Sequence, residues 1–401
     1  MVMTRTDPDS CPGVLRLHDA ADGPLARIRV PGGQLTPEQL QALATAAREL
    51  ADGHIELTSR GNVQLRQVRD AAALEEQLTA AGLLPSASHE RIRNIIASPL
   101  AGRVGGRANV HPLVPALDTG LRGDARLAEL PGRVLFTLDD GRGDVSGLGG
   151  DIGVHAVDAD SYALLLAGAD SGVRVPATEA VDLMLAAAHG FLDLRDGQWR
   201  LHEIPEATTR LTDRLVTARP GLETTGEAVE VAVRHDIPIG WLNQADDRVA
   251  LGAGVRLGSL TARTAEFIAA VERPILVTPW RSLVIADLDE WAAEQVVRVL
   301  APMGLIFDAN SPWLLVSACA GMPGCGKSLT DVRGDVAEAV ESGRVVPSGA
   351  PQFAREGLEA AEIVASGRQH WSGCDRRCGR PRGAVTDVIA TTDGYRLNPA
   401  D

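Results

Sequence analysis

Lysine is almost absent from this chain. Of 39 basic residues only Lys327 is a lysine, so nearly every cation is a planar, permanently charged arginine fork. That shape suits carboxylates and phosphates better than a point charge does. Also missing is any uninterrupted apolar run near the roughly 20 residues that cross a bilayer, so no membrane partner is expected. The first residues, MVMTRTDPDSCPG, hold no apolar signal region, and a cytoplasmic location is expected. Net positive charge is lacking too. The formal charge of −14 argues against nucleic acid or an anionic membrane surface as partner. Cysteines are few: Cys11 stands alone near the start, and Cys319, Cys325, Cys374 and Cys378 cluster near the end. At short spacing in a cytosolic protein, such pairs point to metal ligation or redox work more than to disulfides.

What is present is a globular composition, 401 residues and 45% hydrophobic, long enough for two or more domains. The chain also repeats itself. Residues 55–65 read IELTSRGNVQL and residues 275–285 read ILVTPWRSLVI, each predicting a strand, a tight turn and a strand. A helical stretch precedes each: TPEQLQALATAAREL from Thr36, where Thr36, Pro37 and Gln39 predict a capping box, and LTARTAEFIAAVE from Leu260. A second helix follows each, from Asp70 and from Leu288, with Leu and Val at i, i+3, i+4 spacing. Short strands lead both, LARIRV from Leu25 and AGVRL from Ala253. The order strand–helix–strand–strand–helix, used twice at an offset of about 220 residues, predicts a duplicated ferredoxin-like α+β unit.

A longer mixed segment follows each unit. The first holds strand-like RVLFTLD from Arg133, a helix in PATEAVDLMLAAAHGFL and glycine-rich loops; the second holds the paired cysteines. The expected organisation is an N-terminal arm and first ferredoxin-like half over 1–88, an α+β domain over 89–205 and a connection over 206–250. A second ferredoxin-like half over 251–311 and a metal-binding domain over 312–401 complete it.

The stretch SACAGMPGCGKSLTD from Ser317 supports two readings. Gly321, Gly326, Lys327 and Ser328 satisfy G-x-x-x-x-G-K-[ST], a phosphate loop that needs a strand before it and a helix after it. Cys319 and Cys325 interrupt that loop at C-x5-C, and SGCDRRCGRPRG adds Cys374 and Cys378 at C-x3-C. Four thiolates beside glycines meet the needs of a [4Fe–4S] cluster or a tetrahedral zinc. Zinc sites usually prefer C-x2-C pairs, so this spacing favours iron–sulfur. The best hydrophobic run ending in aspartate, SLVIAD at Asp287, precedes the loop, which counts against the nucleotide reading.

Two cysteine pairs at these spacings, roughly fifty residues apart behind a duplicated ferredoxin-like half, resemble the sulfite and nitrite reductase superfamily. LTSRGNVQLR from Leu57 resembles its T-x-R-x-x-x-Q segment, and RIRNIIASPLAG from Arg91 its R-N-x-x-x-x-P segment. The resemblance implies two pseudo-symmetric halves, each a ferredoxin-like unit followed by a sulfite/nitrite reductase haemoprotein-like α+β domain. It implies a [4Fe–4S] cluster on Cys319, Cys325, Cys374 and Cys378, with Cys378 nearest a carboxylate-rich tetrapyrrole. Arg60 and Arg93 match family arginines that contact the macrocycle or the reacting anion; Arg66, Arg91, Arg103 and Arg107 are neighbours suited to similar work.

One departure redirects the expectation. Where the reductases carry P-R-K-x-K, this chain reads LPGRVLFTLDDG, which puts Arg133 at one lysine and Leu135 at the other. Reduction of a small anion calls for dense positive charge at that place. A different branch of the superfamily, the precorrin-3B synthases, is resembled by CPGVLRLHDAADGPLARIRVPGG and by HWSGCDRRCGRP. That branch implies O2-dependent hydroxylation of precorrin-3A with γ-lactone formation. It also implies a mononuclear non-haem iron beside the cluster and an electron donor, NADH through a reductase or a ferredoxin. His111, His155 and His370, with Asp139, Asp140 and Asp151, are the histidines and carboxylates in reach, and no iron set is assigned among them. The alternative is a sirohaem-dependent nitrite or sulfite reductase. Cys11 reads either as an ordinary thiol or as part of a substrate-covering N-terminal arm, and Lys327 either as a cap on the turn behind the cysteine loop or as positive charge near the cluster or a substrate carboxylate.

Overall fold

The repeat is present as two sheets that exchange an edge strand. The computed structural model describes residue 9 and residues 11–234, 236–347 and 365–399. The first repeat runs β1 (His18–Ala20), β2 (Gly23–Ile28), β3 (Gln34–Leu35), α1 (Pro37–Leu50), β4 (His54–Leu57), β5 (Val63–Leu65) and α2 (Ala71–Ala80). Thr36 Oγ1 accepts from the Gln39 N–H and the Gln39 side chain accepts from the Thr36 N–H, so α1 opens on the capping box expected of it. Leu40, Leu43, Ala44 and Ala47 then form its buried face.

The second unit contains β6 (Ile95–Ala97), α3 (Leu113–Gly123), β7 (Phe136–Asp139), β8 (Ile152–Ala156), β9 (Ser161–Leu166) and β10 (Ala169–Pro176). It ends with α4 (Ala180–Leu194), α5 (Ala207–Ala218) and β11 (Glu223–Thr224). Its six strands lie in the order β11-β10-β9-β8-β7-β6 over a core that includes Phe136, Phe191, Leu117 and Leu211. The strand expected from Arg133 begins only at Phe136, because Val134 N–H closes a turn on Pro131 and Leu135 N–H is held by Asp151.

The second repeat is β12 (Gly240–Asn243), β13 (Val249–Val255), β14 (Ser259–Thr261), α6 (Ala262–Ala269), β15 (Ile275–Val277), β16 (Ser282–Leu288), α7 (Glu290–Leu300) and β17 (Leu305–Ile306). The last unit holds β18 (Val316–Ala318), α8 (Val332–Glu341), β19 (Val345–Val346), β20 (Ala365–Ser366), β21 (Gln369–Ser372), β22 (Thr386–Thr391) and β23 (Gly394–Asn398). Segment 206–250 opens with α5, which buries Leu211 and Leu215 in the second unit's core, and closes with β12 in the third sheet.

Strand order shows the exchange. One sheet reads β1-β2-β5-β4-β14 and its counterpart β12-β13-β16-β15-β3, so each repeat lends its short strand to the other's edge. The turns into β3 and β14 each use a left-handed residue, Gly32 at φ 63° and Leu257 at φ 51°. The two repeats consequently share one core, in which Leu43, Ala44 and Ala47 join Ala265 and Ile268. The intervening units also correspond. β6–β7–β8–β9 and β18–β21–β22–β23 are both paired parallel, parallel, antiparallel, with α3 and α8 after the first strand. The molecule is thus α+β, in two pseudo-symmetric halves.

Candidate functional site

The four late cysteines sit on the loops that leave β18 and β21. Cys319 follows β18 directly; its N–H donates to the Trp371 carbonyl at 3.0 Å, and its Sγ accepts the Gly373 N–H at 3.3 Å. Leu329 N–H donates to the Gly373 carbonyl at 3.0 Å, which ties the two loops together. All four thiols are free. Burial raises the Cys378 thiol above its ordinary value; nearby Arg376 opposes this, and the neighbouring thiols of Cys319, Cys374 and Cys325 add to it. The four sulfurs therefore share one neighbourhood. No three of them come within 4.8 Å of one another. A tetrahedral zinc with Zn–S bonds of about 2.3 Å needs sulfurs roughly 3.8 Å apart. Four free thiols with a backbone N–H aimed at one sulfur are the kind of donor set that an iron–sulfur cluster takes.

Beside these loops lies a cleft that is open to solvent. The turn Thr58–Asn62 supplies one wall and the turn Thr278–Ser282 the wall across from it. The two turns are built alike. Thr58 and Thr278 each donate N–H to the fifth residue's carbonyl, at 2.9 and 3.0 Å, and each hydroxyl accepts N–H groups from within the turn. Arg60 thus corresponds to Trp280, and Gly61 at φ 64° to Arg281 at φ 57°. Left-handed backbone costs a non-glycine residue roughly 1–2 kcal/mol, so the arginine is held there by its surroundings.

Six arginines line the cleft: Arg60, Arg200, Arg281, Arg368, Arg380 and Arg382. Two are already neutralised, Arg200 on Asp151 at 2.6 Å and Arg380 on Asp387 at 2.8 Å. Among the described residues no carboxylate lies within 4 Å of the other four. Burial and the nearby charge of Arg200 lower the Arg60 guanidinium to about 10, which leaves it a cation at neutral pH. Arg368 Nη1 and Trp280 Nε1 are buried without any hydrogen-bond partner. Orphaned buried donors around a cleft are what a bound acceptor would satisfy. Leu135, Leu148 and Trp313 supply apolar wall.

The residues expected to hold a ligand divide. Arg60 lines the cleft, with Nη1 on the Arg133 carbonyl at 3.0 Å. Arg133 itself is half-exposed, stacked over Trp199 at 4.7 Å. Arg93 and Arg66 depart from the expectation. Arg93 is buried on Asp118 at 2.5 and 3.1 Å. Arg66 is closed by Asp22 at 2.6 and 2.7 Å and donates to the Gly324 carbonyl at 2.9 Å, so it braces the loop before Cys325 instead of reading a ligand. Arg91 holds the N-terminal arm through the Asp9 and Cys11 carbonyls, Arg103 is paired with Asp287, and Arg107 donates to the Val157 carbonyl. Cys11 is buried against Arg29 and Arg27. Arg281, Arg368 and Arg382 went unread in the sequence; for Arg281 the usable signal was the repeat of the Thr-led turn.

The phosphate-loop pattern has no matching geometry. Helix α8 starts at Val332 on an Asp331 cap and Ser328 Oγ donates to the Thr330 carbonyl, so neither Lys327 nor Ser328 stands at a helix N-terminus. The histidines do not assemble an iron site. His111 is bonded to Gln34 at 2.7 Å, His155 to Ser146 at 2.9 Å and His370 to Ser317 at 2.9 Å. Burial first, then Arg281, lowers His370 to about 4. Among the described residues the one close set of candidate ligands is Asp139, Asp140 and Asp144, all buried. Asp139 accepts four backbone N–H groups, Asp140 is covered by Arg142 and Asp144 accepts from Ser98. These residues do not fit a mononuclear iron held by histidine and carboxylate with open positions.

Comparison with known proteins agrees with this architecture. Residues 18–81 match the nitrite/sulfite reductase ferredoxin-like half domain. Over 402 residues the chain is 25% identical to a precorrin-3B synthase of a Sinorhizobium species, covering 97% of this chain and 82% of that one. It is 24% identical over 446 residues to the assimilatory ferredoxin-dependent nitrite reductase of Haloferax mediterranei, covering 94% and 72%. The solved structure of the Mycobacterium tuberculosis NirA protein shares the fold, with a TM-score of 0.76 over 93% of this chain and 74% of that one at 18% identity. The chain is thus similar over nearly its whole length to both a precorrin-3B synthase and a nitrite reductase, and its first repeat matches the nitrite/sulfite reductase ferredoxin-like half domain.

Proposed function

We propose that the chain is an oxidoreductase of the precorrin-3B synthase type, hydroxylating precorrin-3A with O2 and closing a γ-lactone. The observation that carries this reading is the cleft beside the cysteines, lined by Arg60, Arg281, Arg368 and Arg382, none of which has a carboxylate within 4 Å among the described residues. A substrate rich in carboxylates supplies what those guanidinia lack, and each such bond is charge-assisted. Leu135 lines the same cleft where the reductases of the superfamily carry a lysine, which favours a macrocycle over a small anion. Whole-chain similarity to a precorrin-3B synthase supports the same reading.

In this reading Trp280, Trp313, Leu135 and Leu148 pack on the macrocycle and exclude water, while the four arginines fix its acetate and propionate groups. Cys319, Cys325, Cys374 and Cys378 would hold a [4Fe–4S] cluster, which supplies single electrons at the edge of the cleft. The overall reaction places one atom of O2 in the substrate and releases the other as water. The electrons come from a separate donor, NADH through a reductase or a ferredoxin.

The test uses protein purified without air. Equal iron and acid-labile sulfide, no sirohaem in acidic acetone, and transfer of one labelled atom from O2 to precorrin-3A would support the synthase. A stoichiometric sirohaem would replace it with a nitrite or sulfite reductase.

A further inference from the structure

Each cysteine loop is held by one arginine from a ferredoxin-like sheet. Arg66, just after β5, donates to the carbonyl of Gly324, next to Cys325, at 2.9 Å. Arg281, just before β16, donates Nη2 to the carbonyl of Gly379, next to Cys378, at 3.1 Å. The two clamps differ in charge. Arg66 is closed by Asp22 on two nitrogens, with Glu56 at 3.9 Å. Arg281 has no carboxylate within 4 Å among the described residues, lines the cleft, and stands in left-handed backbone where its counterpart in the first repeat is Gly61. A glycine would hold that turn without strain. The arginine therefore answers to something other than the turn.

We infer that Arg281 is a positioning residue that couples the cleft to the Cys374–Cys378 loop: one nitrogen holds Gly379, and the rest of the fork is left for a ligand carboxylate. A carboxylate on the open side of the fork fixes the guanidinium, and the fixed guanidinium fixes the Gly379 carbonyl and the turn that carries Cys378. The planar fork allows both bonds at once; a lysine ammonium on a flexible stem has no such fixed second direction. This inference rests on reading the cleft as a site for a carboxylate-rich tetrapyrrole.

The experiment uses anaerobically purified full-length protein, uroporphyrin as a carboxylate-rich probe, and hydrogen exchange of the 374–380 backbone with and without the probe. Arg281→Gly restores the residue type that the first repeat uses, so the variant should fold. Wild type should bind the probe and exchange more slowly at 374–380 when it is bound. Arg281→Gly should bind at least about tenfold more weakly and show no slowing even at saturation. Arg281→Lys should recover part of the affinity and little of the slowing. Binding to wild type with unchanged exchange at 374–380, or full slowing in Arg281→Gly, would overturn the coupling while leaving the cleft reading intact. Failure of wild type to bind the probe would sink the cleft reading and the coupling with it.

Discussion

Ser98 and Cys319 occupy the same place in the two halves. Each follows the last residue of its strand, β6 or β18, and each donates N–H across to the neighbouring parallel strand, to Leu138 or to Trp371, at 3.0 Å. Each side chain then accepts the N–H two residues further along that strand, from Asp140 at 3.1 Å or Gly373 at 3.3 Å. Beyond this point the halves diverge. The first loop pair supplies its own charges: Ser98 donates to Asp144, Asp139 gathers four N–H groups, and Arg142 covers Asp140. The second offers sulfur in place of oxygen, and a Cβ at Gly373 would collide with Ser328. One strand ladder has thus been used to close a loop pair around carboxylates, and again to bring together loops that carry thiols.

Cys319→Ser should sharpen that contrast with the largest effect. The hydroxyl can accept the Gly373 N–H as Ser98 accepts from Asp140, so the loop should fold, yet iron and sulfide should be lost from the purified protein. A variant that retained its full iron and sulfide content would remove Cys319 from the cluster. Next comes Asp139→Ala. Four N–H groups at 2.9–3.0 Å, three of them buried and that of Gly141 part-buried, would lose their acceptor. At roughly 1–3 kcal/mol for each unsatisfied group, about 4 kcal/mol or more of stability should go, read from the urea midpoint. The equivalent position in the other half is Ser372, whose Oγ is buried without a partner. Ser372→Ala should therefore be nearly neutral, and equal costs at the two positions would break the comparison.

The duplication could be read in the sequence because each repeat carries the same order of strand, helix, strand–turn–strand and helix. The two cysteine pairs stand out by spacing, and the fold ties their loops together through Leu329 and Gly373. The exchanged strands were not legible, since β3 and β14 have two and three residues and offer no periodicity to read. Arg93 and Arg66 were misread for a related reason. Their neutralising partners, Asp118 and Asp22, lie 25 and 44 residues away in sequence, and only the fold brings them together. Arg281 was missed because it stands one position past the counterpart of Arg60 and reaches the cleft through left-handed backbone.

Asp144 gives the carboxylate loop a pH signature of its own. Burial first, then the charge of Asp139 with a smaller push from Asp140, raises its carboxyl to about 7; the Ser98 hydroxyl and Arg142 oppose this. The unfolded chain loses that proton near 3.8. Between these values the folded state binds a proton that the unfolded state has released, so stability falls as pH rises through the window and levels off above it. Asp144→Asn keeps a neutral group against Ser98 and should flatten the slope, which makes the variant the more stable form at about pH 8. Urea midpoints for both proteins at about pH 5 and pH 8 would decide it, and parallel pH dependence would discard the assignment.

The smallest effect separates the two helix caps. Thr36 and Thr261 start equivalent helices, α1 and α6, and each hydroxyl accepts an N–H three residues on, at 3.2 and 3.1 Å. Thr36 has the fuller motif, since Gln39 returns a bond to its N–H at 3.1 Å. Its bonds are exposed, however, and water can replace them. The Thr261 cap is partly buried and has only the Thr264 hydroxyl beside it, so its N–H would be left dry. Cap deletions cost roughly 0.5–2 kcal/mol, the range over which these two effects compete. Desolvation should win: Thr261→Ala at about 1.5 kcal/mol against about 0.7 kcal/mol for Thr36→Ala. The reverse order in a urea series would mean that the reciprocal Gln39 bond outweighs burial at this edge.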